Sequence, residues 1–241
     1  MTGARSEAGA RGHAGASPLS QGRLTADAAG GLYWEPAAET LPRERLEELQ
    51  LERLRATLAN ACENIPFYRK TMDGLGIEPG DVRERSDVAR LPLTTKIDLR
   101  DHYPFGMFAR PREQVVRVHA SSGTTGNPTT VGYTAGDIDL WADLIARTLA
   151  AGGVTPGDLL QNAFGYGLFT GGLGLHLGAE RLGCTVVPIS GGNTERQLKI
   201  MRDFGASVLS CTPSYAMYLA DAARDRGLRP EDIPLRVGFH G

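Results

Sequence analysis

The stretch His119-Ala-Ser-Ser-Gly-Thr-Thr-Gly-Asn-Pro-Thr-Thr-Val-Gly-Tyr133 decides how the rest of the chain reads. Val115, Val116 and Val118 run into it, and Thr129, Thr130 and Val131 follow. Residues of this kind suit a pleated strand, so the pattern is strand, tight loop, strand. The loop itself is Ser121-Ser-Gly-Thr-Thr-Gly126. Gly123 and Gly126 allow turns that other residues resist, and they leave no Cβ between backbone and ligand. Backbone N–H groups of such a loop can form an anion-binding concavity, and the hydroxyls of Ser121, Ser122, Thr124 and Thr125 add donors. Chemically this is a cradle for phosphate. A Walker A loop is excluded: the glycines are too close together, no Gly-Lys-Ser/Thr follows, and a strand comes next instead of a helix. An ordinary Ser/Gly/Thr hairpin is the bland alternative, and the short pattern alone does not exclude it.

Downstream the chain alternates between two periodicities. Strands are expected at 115–120 and 129–133 around the loop. Thr134 then caps a helix with Ile138, Trp141, Ile145 and Leu149 on one face, ended by Gly152-Gly153. A strand at 158–164, a helix at 170–182 and a short apolar strand at 185–189 follow. Thr194-Glu-Arg-Gln197 reads as a capping box opening a helix through Phe204. A strand at 206–211, a helix at 214–226 and a strand at 235–239 complete the pattern. Such alternation predicts an α/β fold, a parallel or mixed sheet covered on both faces. Ligands of such sheets bind beyond the carboxyl ends of the strands, where the loops at Ser121, Gly165, Ser190 and Thr212 all fall.

Upstream the signals are weaker. Residues 1–31 are rich in Ala, Gly and Ser without periodicity and read as a disordered leader. The leader lacks the continuous apolar core of a secretory signal. Leu46, Leu49, Leu51, Leu54, Leu58 and Ala61 keep helical spacing after Tyr33-Trp34, and Pro66 closes that segment. Residues 74–114 are turn-rich, with a short helix opening at Thr94-Thr-Lys96. Lys96 reads as a surface lysine near that helix start. The chain therefore divides into a leader (1–31), a helical and turn-rich part (32–113) and an α/β part (114–241).

Composition narrows the functional classes. The chain has 241 residues, 41% hydrophobic, with a formal net charge of −2. That balance gives no sign of a nucleic-acid or membrane partner, and no apolar run reaches the roughly 20 residues of a membrane span. Cys62, Cys184 and Cys211 are widely spaced and odd in number, fitting neither a disulfide framework nor a metal site. They read as buried apolar residues in a reducing compartment.

The candidate chemistry clusters in Phe164-Gly-Tyr-Gly-Leu-Phe-Thr-Gly-Gly172, which follows a strand and opens a helix. Phe164, Tyr166 and Phe169 could wall a pocket for a flat acid, with its anion near the helix N-terminus. The same residues could equally be core aromatics with packing glycines. His119 reads as a satisfied core histidine, since spacing supplies no partners for a metal. His176 and His240 lie at element ends, while His13 and His102 carry no signal. In Thr212-Pro-Ser-Tyr215, Thr212 caps a helix and Pro213 fits its first turn. Glu180 and Arg181 read as a charge pair on a helix surface.

Taken together the pieces resemble one family. S-S-G-T-T-G-x-P-T followed by V-G-Y-T resembles the phosphate loop of the acyl-adenylate-forming enzymes, and most of all that of the phenylacetate–coenzyme A ligases. Tyr33-Trp-Glu35, Asn64-Ile-Pro-Phe-Tyr68, Leu91-Pro-Leu-Thr-Thr-Lys96, Gly165-Tyr-Gly-Leu-Phe-Thr-Gly-Gly172, Gly178-Ala-Glu-Arg-Leu-Gly-Cys184 and Thr212-Pro-Ser-Tyr215 match the same pattern. The likeness covers nearly everything after the leader. Two positions depart from it. Asn127 stands where many members carry Lys, removing a positive charge, and Phe164 stands where many carry Tyr, removing a hydroxyl.

The resemblance implies the large N-terminal domain of such an enzyme, with a Rossmann-like, mostly parallel sheet flanked by helices. It implies ATP, Mg2+ and coenzyme A as co-substrates and cofactors, an aryl acid as substrate, a cytoplasmic location and a homodimer. Ser121, Ser122, Gly123, Thr124, Thr125 and Gly126 would hold the ATP phosphates. Phe164, Tyr166, Phe169, Thr170, Gly171 and Tyr215 would line the acid pocket, and His240 and Gly241 would begin the strand end that approaches adenine. The family's adenine stretch, metal motif, ribose-binding Asp and lysine-bearing C-terminal domain find no counterpart up to Gly241. The expectation is therefore an N-terminal portion, inactive by itself, whose catalytic lysine lies beyond these residues. A relative acting on another acid, or a non-catalytic binding protein keeping half the fold, are the alternatives.

Overall fold

The structure, a computed structural model, describes residues 23–121 and 126–241. Asp27 turns the first described residues back on themselves. Its carboxylate accepts hydrogen bonds from the amides of Ala29 at 2.9 Å and Gly31 at 2.8 Å. The resulting turn pairs β1 (Thr25–Ala26) with β2 (Leu32–Tyr33) in antiparallel register. Residues 25–31 thus belong to a hairpin and not to the leader that composition suggested; residues 1–22 lie outside the described residues. The short α1 (Pro36–Glu39) comes next, and the Glu39 carboxylate ties down the amides of Trp34 and Glu35.

The amphipathic segment becomes α2 (Arg43–Asn64). Pro66 closes that segment, since Ile65 ahead of it is already extended and α2 stops at Asn64. It sits at the first position of α3 (Pro66–Leu75), where its fixed φ and missing N–H are harmless, and Gly76 ends the helix at φ +63°. The expected hydroxyl cap is present in α4 (Lys96–Asp101): Thr95 accepts from the Asp98 amide while Asp98 accepts from the Thr95 amide.

The quoted stretch forms a strand pair, β3 (Val115–Ala120) and β4 (Thr130–Thr134), antiparallel with His119 opposite Val131. Thr134 caps α5 (Ala135–Ala151) reciprocally with Asp137. Then come β5 (Leu159–Asn162), α6 (Gly171–Leu182), β6 (Thr185–Val187), α7 (Thr194–Phe204), β7 (Val208–Cys211), α8 (Pro213–Asp225) and β8 (Val237–His240). The last four strands form one parallel sheet in the order β6-β5-β7-β8. Side chains alternate across it. Leu160 and Val208 join Ala146, Leu149, Ala179 and Leu182 on the α5–α6 face, while Leu209 and Cys211 join Leu198, Met201 and Leu219 on the α7–α8 face. Both faces being covered explains why the strands read as apolar runs.

Helix α7 starts differently from the sequence pattern. Its N-cap is Asn193, at φ +47°, whose side chain accepts from the Arg196 amide. Thr194 is the first helical residue, so the Thr194…Gln197 box does not form. Asn tolerates the left-handed region and caps as well as Thr, and Gln197 is drawn into the core by a partner that local sequence cannot reveal. The Glu180–Arg181 surface pair is likewise absent: Arg181 bonds Asp139 and Asp143 of α5, each at 2.9 Å, and Glu180 accepts from His176.

One ion pair fastens the sheet's edge. Asp158 is buried, which disfavours its charge. Arg236, the Thr155 amide and hydroxyl and the Ser207 hydroxyl outweigh that burial and hold its carboxyl down at about 2. Because the folded value lies below the usual 3.8, the stabilisation is present above about pH 4 and is lost as pH falls toward 2. A shift of this size corresponds to about 2 kcal/mol, discounted to about 1–2 kcal/mol because Arg236 is half exposed to screening water. Urea unfolding of Asp158→Asn against wild type should show that gap at pH 6 and its shrinkage at pH 3. A gap that widens as pH falls would reverse the assignment. Beside it, burial and the Asp158 charge push the Cys184 thiol up to about 11, so it is a packing residue and not a nucleophile.

Candidate active site

The carboxyl end of β5 is built around Asn162, which is fully buried. Its amide nitrogen donates to the Tyr166 hydroxyl at 2.7 Å and to the Gly172 carbonyl at 2.8 Å. Its amide oxygen accepts from the Phe164 N–H at 3.2 Å and the Ser210 hydroxyl at 3.1 Å. Its backbone carbonyl accepts from the Ser190 N–H at 3.1 Å. One side chain thus fixes the loop leaving β5, the first turn of α6 and the end of β7. Gly172 is required there, since a Cβ on it would lie 2.5 Å from the Gly165 carbonyl oxygen.

A second buried pair holds the loop after β6. The Gln161 amide donates to the Gln197 side-chain oxygen at 2.7 Å, and the Gln197 amide donates to the Ser190 carbonyl at 2.6 Å. This fixes a backbone with Ser190 at φ +66° and Gly192 at φ +83°. The Tyr215 hydroxyl donates to the Gly192 carbonyl at 3.2 Å, closing the far side.

Between these loops lies a cavity of about 420 Å³ lined by Phe164, Gly165, Gly191, Gly192, Tyr215 and Tyr218. A cavity of that size holds a small aromatic acid. Its walls are aromatic faces and glycine backbone, with Tyr215 and Tyr218 stacked at 6.4 Å. A larger hollow of about 630 Å³ lies between α2 and residues 84–88, away from the strand ends. Arg85 and Glu47 in its lining are paired at 3.0 Å, and no loop of the sheet reaches it, so the strand ends are the candidate site.

Of the residues singled out from sequence, Phe164 and Tyr215 meet at this cavity. Gly171 starts α6 directly behind Phe164, and Thr170 precedes it without a side-chain cap bond. Tyr166 turns its hydroxyl away from solvent: it accepts from Asn162 and donates to His176 Nδ1 at 3.1 Å, and His176 Nε2–H donates to Glu180 at 2.9 Å. Burial pushes the Tyr166 phenol up. Phe169 lies outside the lining and is 70% exposed. His240 bonds the Cys211 carbonyl at 3.2 Å, at the β8 end that leads to Gly241. Asn162, Gln161 and Tyr218 are not among the residues that the sequence pointed to, and Gln197 entered only as a capping-box partner. The one signal that Asn162 offers is a polar residue within the strand expected at 158–164.

At the phosphate loop, the Ser121 hydroxyl accepts from the Thr129 N–H at 3.0 Å, and Gly126 has φ +123°, a conformation that suits glycine alone. Ser122, Gly123, Thr124 and Thr125 lie outside the described residues. His119 is buried, and its Nδ1 bonds the Leu168 carbonyl at 2.9 Å. Its Nε2 has no partner among the described residues, so the histidine is core-bound but only half satisfied. Among those residues no helix is long and apolar enough to cross a membrane, and no cluster of three or more His, Cys, Asp or Glu could hold a metal.

A parallel sheet flanked by two helix layers, with glycine-rich loops gathered at its carboxyl ends, is the fold of the large N-terminal domain of adenylate-forming acyl–CoA ligases. In sequence the chain matches the N-terminal portion of phenylacetate–coenzyme A ligases. It is 57% identical over 210 residues to that of Thermus thermophilus, covering 87% of this chain and 47% of the relative. It is 54% identical over 204 residues to that of Escherichia coli, covering 84% and 47%. Among solved structures, a 2-hydroxyisobutyryl-CoA ligase in complex with 2-HIB-AMP and CoA superposes with a TM-score of 0.85 at 32% identity, covering 92% of this chain and 48% of that one. No family model matches the chain. The chain spans about half the length of the curated relatives it matches.

Proposed function

We propose that these residues carry the acid- and phosphate-binding side of an ATP-dependent ligase that activates phenylacetate or a close aryl acid and transfers it to coenzyme A. The carboxylate oxygen attacks the α-phosphorus of ATP, the bond to the β-phosphate breaks, and pyrophosphate leaves. The thiol sulfur of coenzyme A then attacks the acyl carbonyl, and AMP leaves. Positioning and charge neutralisation dominate such displacements, so the chain's part is to hold both reactants.

The observation that carries this reading is the aromatic cavity of Phe164, Tyr215 and Tyr218, set on a loop fastened to the strand that leads into Ser121. The 52–57% identity to enzymes named phenylacetate–CoA ligases supports the aryl acid over the 2-hydroxyisobutyryl group named for the structural relative. The hydroxyls of Ser121, Ser122, Thr124 and Thr125 would meet the phosphates, and Mg2+ would enter as part of the nucleotide substrate. A cytoplasmic location, where ATP and coenzyme A are available, and a homodimer belong to the same reading; light scattering tests the dimer.

The reading is tested with these 241 residues joined to the C-terminal portion of the Thermus thermophilus relative. Phenylacetate-dependent release of pyrophosphate, well above that with 2-hydroxyisobutyrate, is expected. A folded chimera that releases pyrophosphate with no aryl acid would overturn it.

A further inference from the structure

We infer that His119 is a positioning residue for the acid-binding loop, fastening that loop by its backbone to the strand that enters the phosphate loop. The inference rests on the proposed function only in naming the ligand an acid. Two donors from consecutive residues, His119 Nδ1 and the Ala120 N–H, converge on one acceptor, the Leu168 carbonyl, each at 2.9 Å. Residues 119 and 168 are 49 apart in sequence, so no local rule brings them together. A carbonyl only accepts, which makes Nδ1 the protonated nitrogen of the neutral ring and Nε2 a bare acceptor. No buried N–H is orphaned by this choice.

Among the described residues, the loop from Phe164 to Thr170 has little else to hold its far half. Leu168 is 59% and Phe169 70% exposed, so apolar burial does not fix them. The near half is held at Tyr166 by Asn162, and the far half by the pair of bonds to Leu168. Phe169 and Thr170 follow directly, and α6 begins at Gly171. The His119 ring is itself held by edge contacts to Tyr133 at 5.6 Å and Trp141 at 5.9 Å, which stack on each other at 5.2 Å. An apolar residue at position 119 would fill the same space between those rings and would drop one of the two bonds. The hydrogen bond, and not the packing, is therefore the reason for histidine.

Hydrogen–deuterium exchange and phenylacetate binding of the 241-residue chain test this with two variants. In His119→Leu, exchange across 165–170 should rise about tenfold and phenylacetate affinity should fall about tenfold, the scale of one hydrogen bond. His119→Asn, whose amide N–H reaches a similar position, should recover most of both. Unchanged loop exchange in His119→Leu, or a His119→Asn variant as loose as it, overturns the inference. If wild type binds no phenylacetate, the proposed function fails for this chain while the exchange results still judge the clasp. If His119→Leu does not fold, ring 15N shifts of wild type decide: an Nδ1-protonated neutral ring with a slowly exchanging proton supports the clasp, and an Nε2-protonated one refutes it.

Discussion

Asn162→Ala should lower the free energy of unfolding by about 3–5 kcal/mol. Four partners each lose a hydrogen bond at once: the buried Gly172 carbonyl and Ser210 hydroxyl, and the half-buried Tyr166 hydroxyl and Phe164 N–H. Each buried group left unpaired costs about 1–3 kcal/mol, and water entering by the half-buried Tyr166 relieves part of the sum. A loss of this size is a large fraction of a typical domain's 5–15 kcal/mol. Asn162→Asp separates hydrogen bonding from volume. It keeps two acceptors but puts a carboxylate oxygen against the Gly172 carbonyl, so burial should raise its pKa. A group with a raised folded pKa is most stabilising when protonated, so this variant should gain stability as pH falls. Urea titrations at pH 7 and pH 5 measure both. A loss under 1 kcal/mol for Asn162→Ala would show that the loops are held by something else.

Gly178→Ala should destabilise by about 2–3 kcal/mol even though alanine is the better helix former. The intrinsic gain is about 1 kcal/mol. Against it, a Cβ at Gly178 would lie 2.2 Å from Ile145 Cγ2 and 3.1 Å from the Ala146 backbone nitrogen. The backbone cannot step aside, so α5 and α6 must separate along the face that buries Ala146, Leu149, Ala179 and Leu182. Gly174 repeats the constraint one turn earlier, where a Cβ would meet Trp141 at 2.1 Å. Gly157→Ala is the control, since nothing lies within 4 Å of its Cβ position. Thermal melts of the two variants should differ by several degrees, with Gly157→Ala close to wild type. Equal melting temperatures would mean that the helices are not packed at contact.

Much of this site could be read in the chain before its structure, because the signals lie within a few residues of one another. Thr134 with Asp137 and Thr95 with Asp98 cap their helices across three residues. Thr212 and Pro213 start α8 as their residue types require. Of Phe164, Tyr166 and Phe169, the aromatic wall expected from sequence, only Phe164 lines the cavity, where Tyr215 joins it. What escaped was the choice between equivalent local solutions. Asn193 and Thr194 can each cap a helix, and the burial of Gln197 against Gln161 settles which one does. Arg181 could pair with its neighbour Glu180, yet packing of α6 on α5 offers two aspartates.

The sequence by itself determined the alternation of strand and helix, the α/β class and the loops at the carboxyl ends of the strands. Those follow from periodicity, capping and glycine spacing, all of which act over one or two turns of chain. Only the tertiary structure decided the strand order β6-β5-β7-β8, the hub at Asn162, the anchoring of Arg236 on Asp158 and the convergence of His119 and Ala120 on Leu168. The Asn162–Ser210, His119–Leu168 and Arg236–Asp158 bonds join residues 48 to 78 positions apart. At such distances the chain's own stiffness carries no information, and partners are selected by which buried polar groups would otherwise be left unpaired.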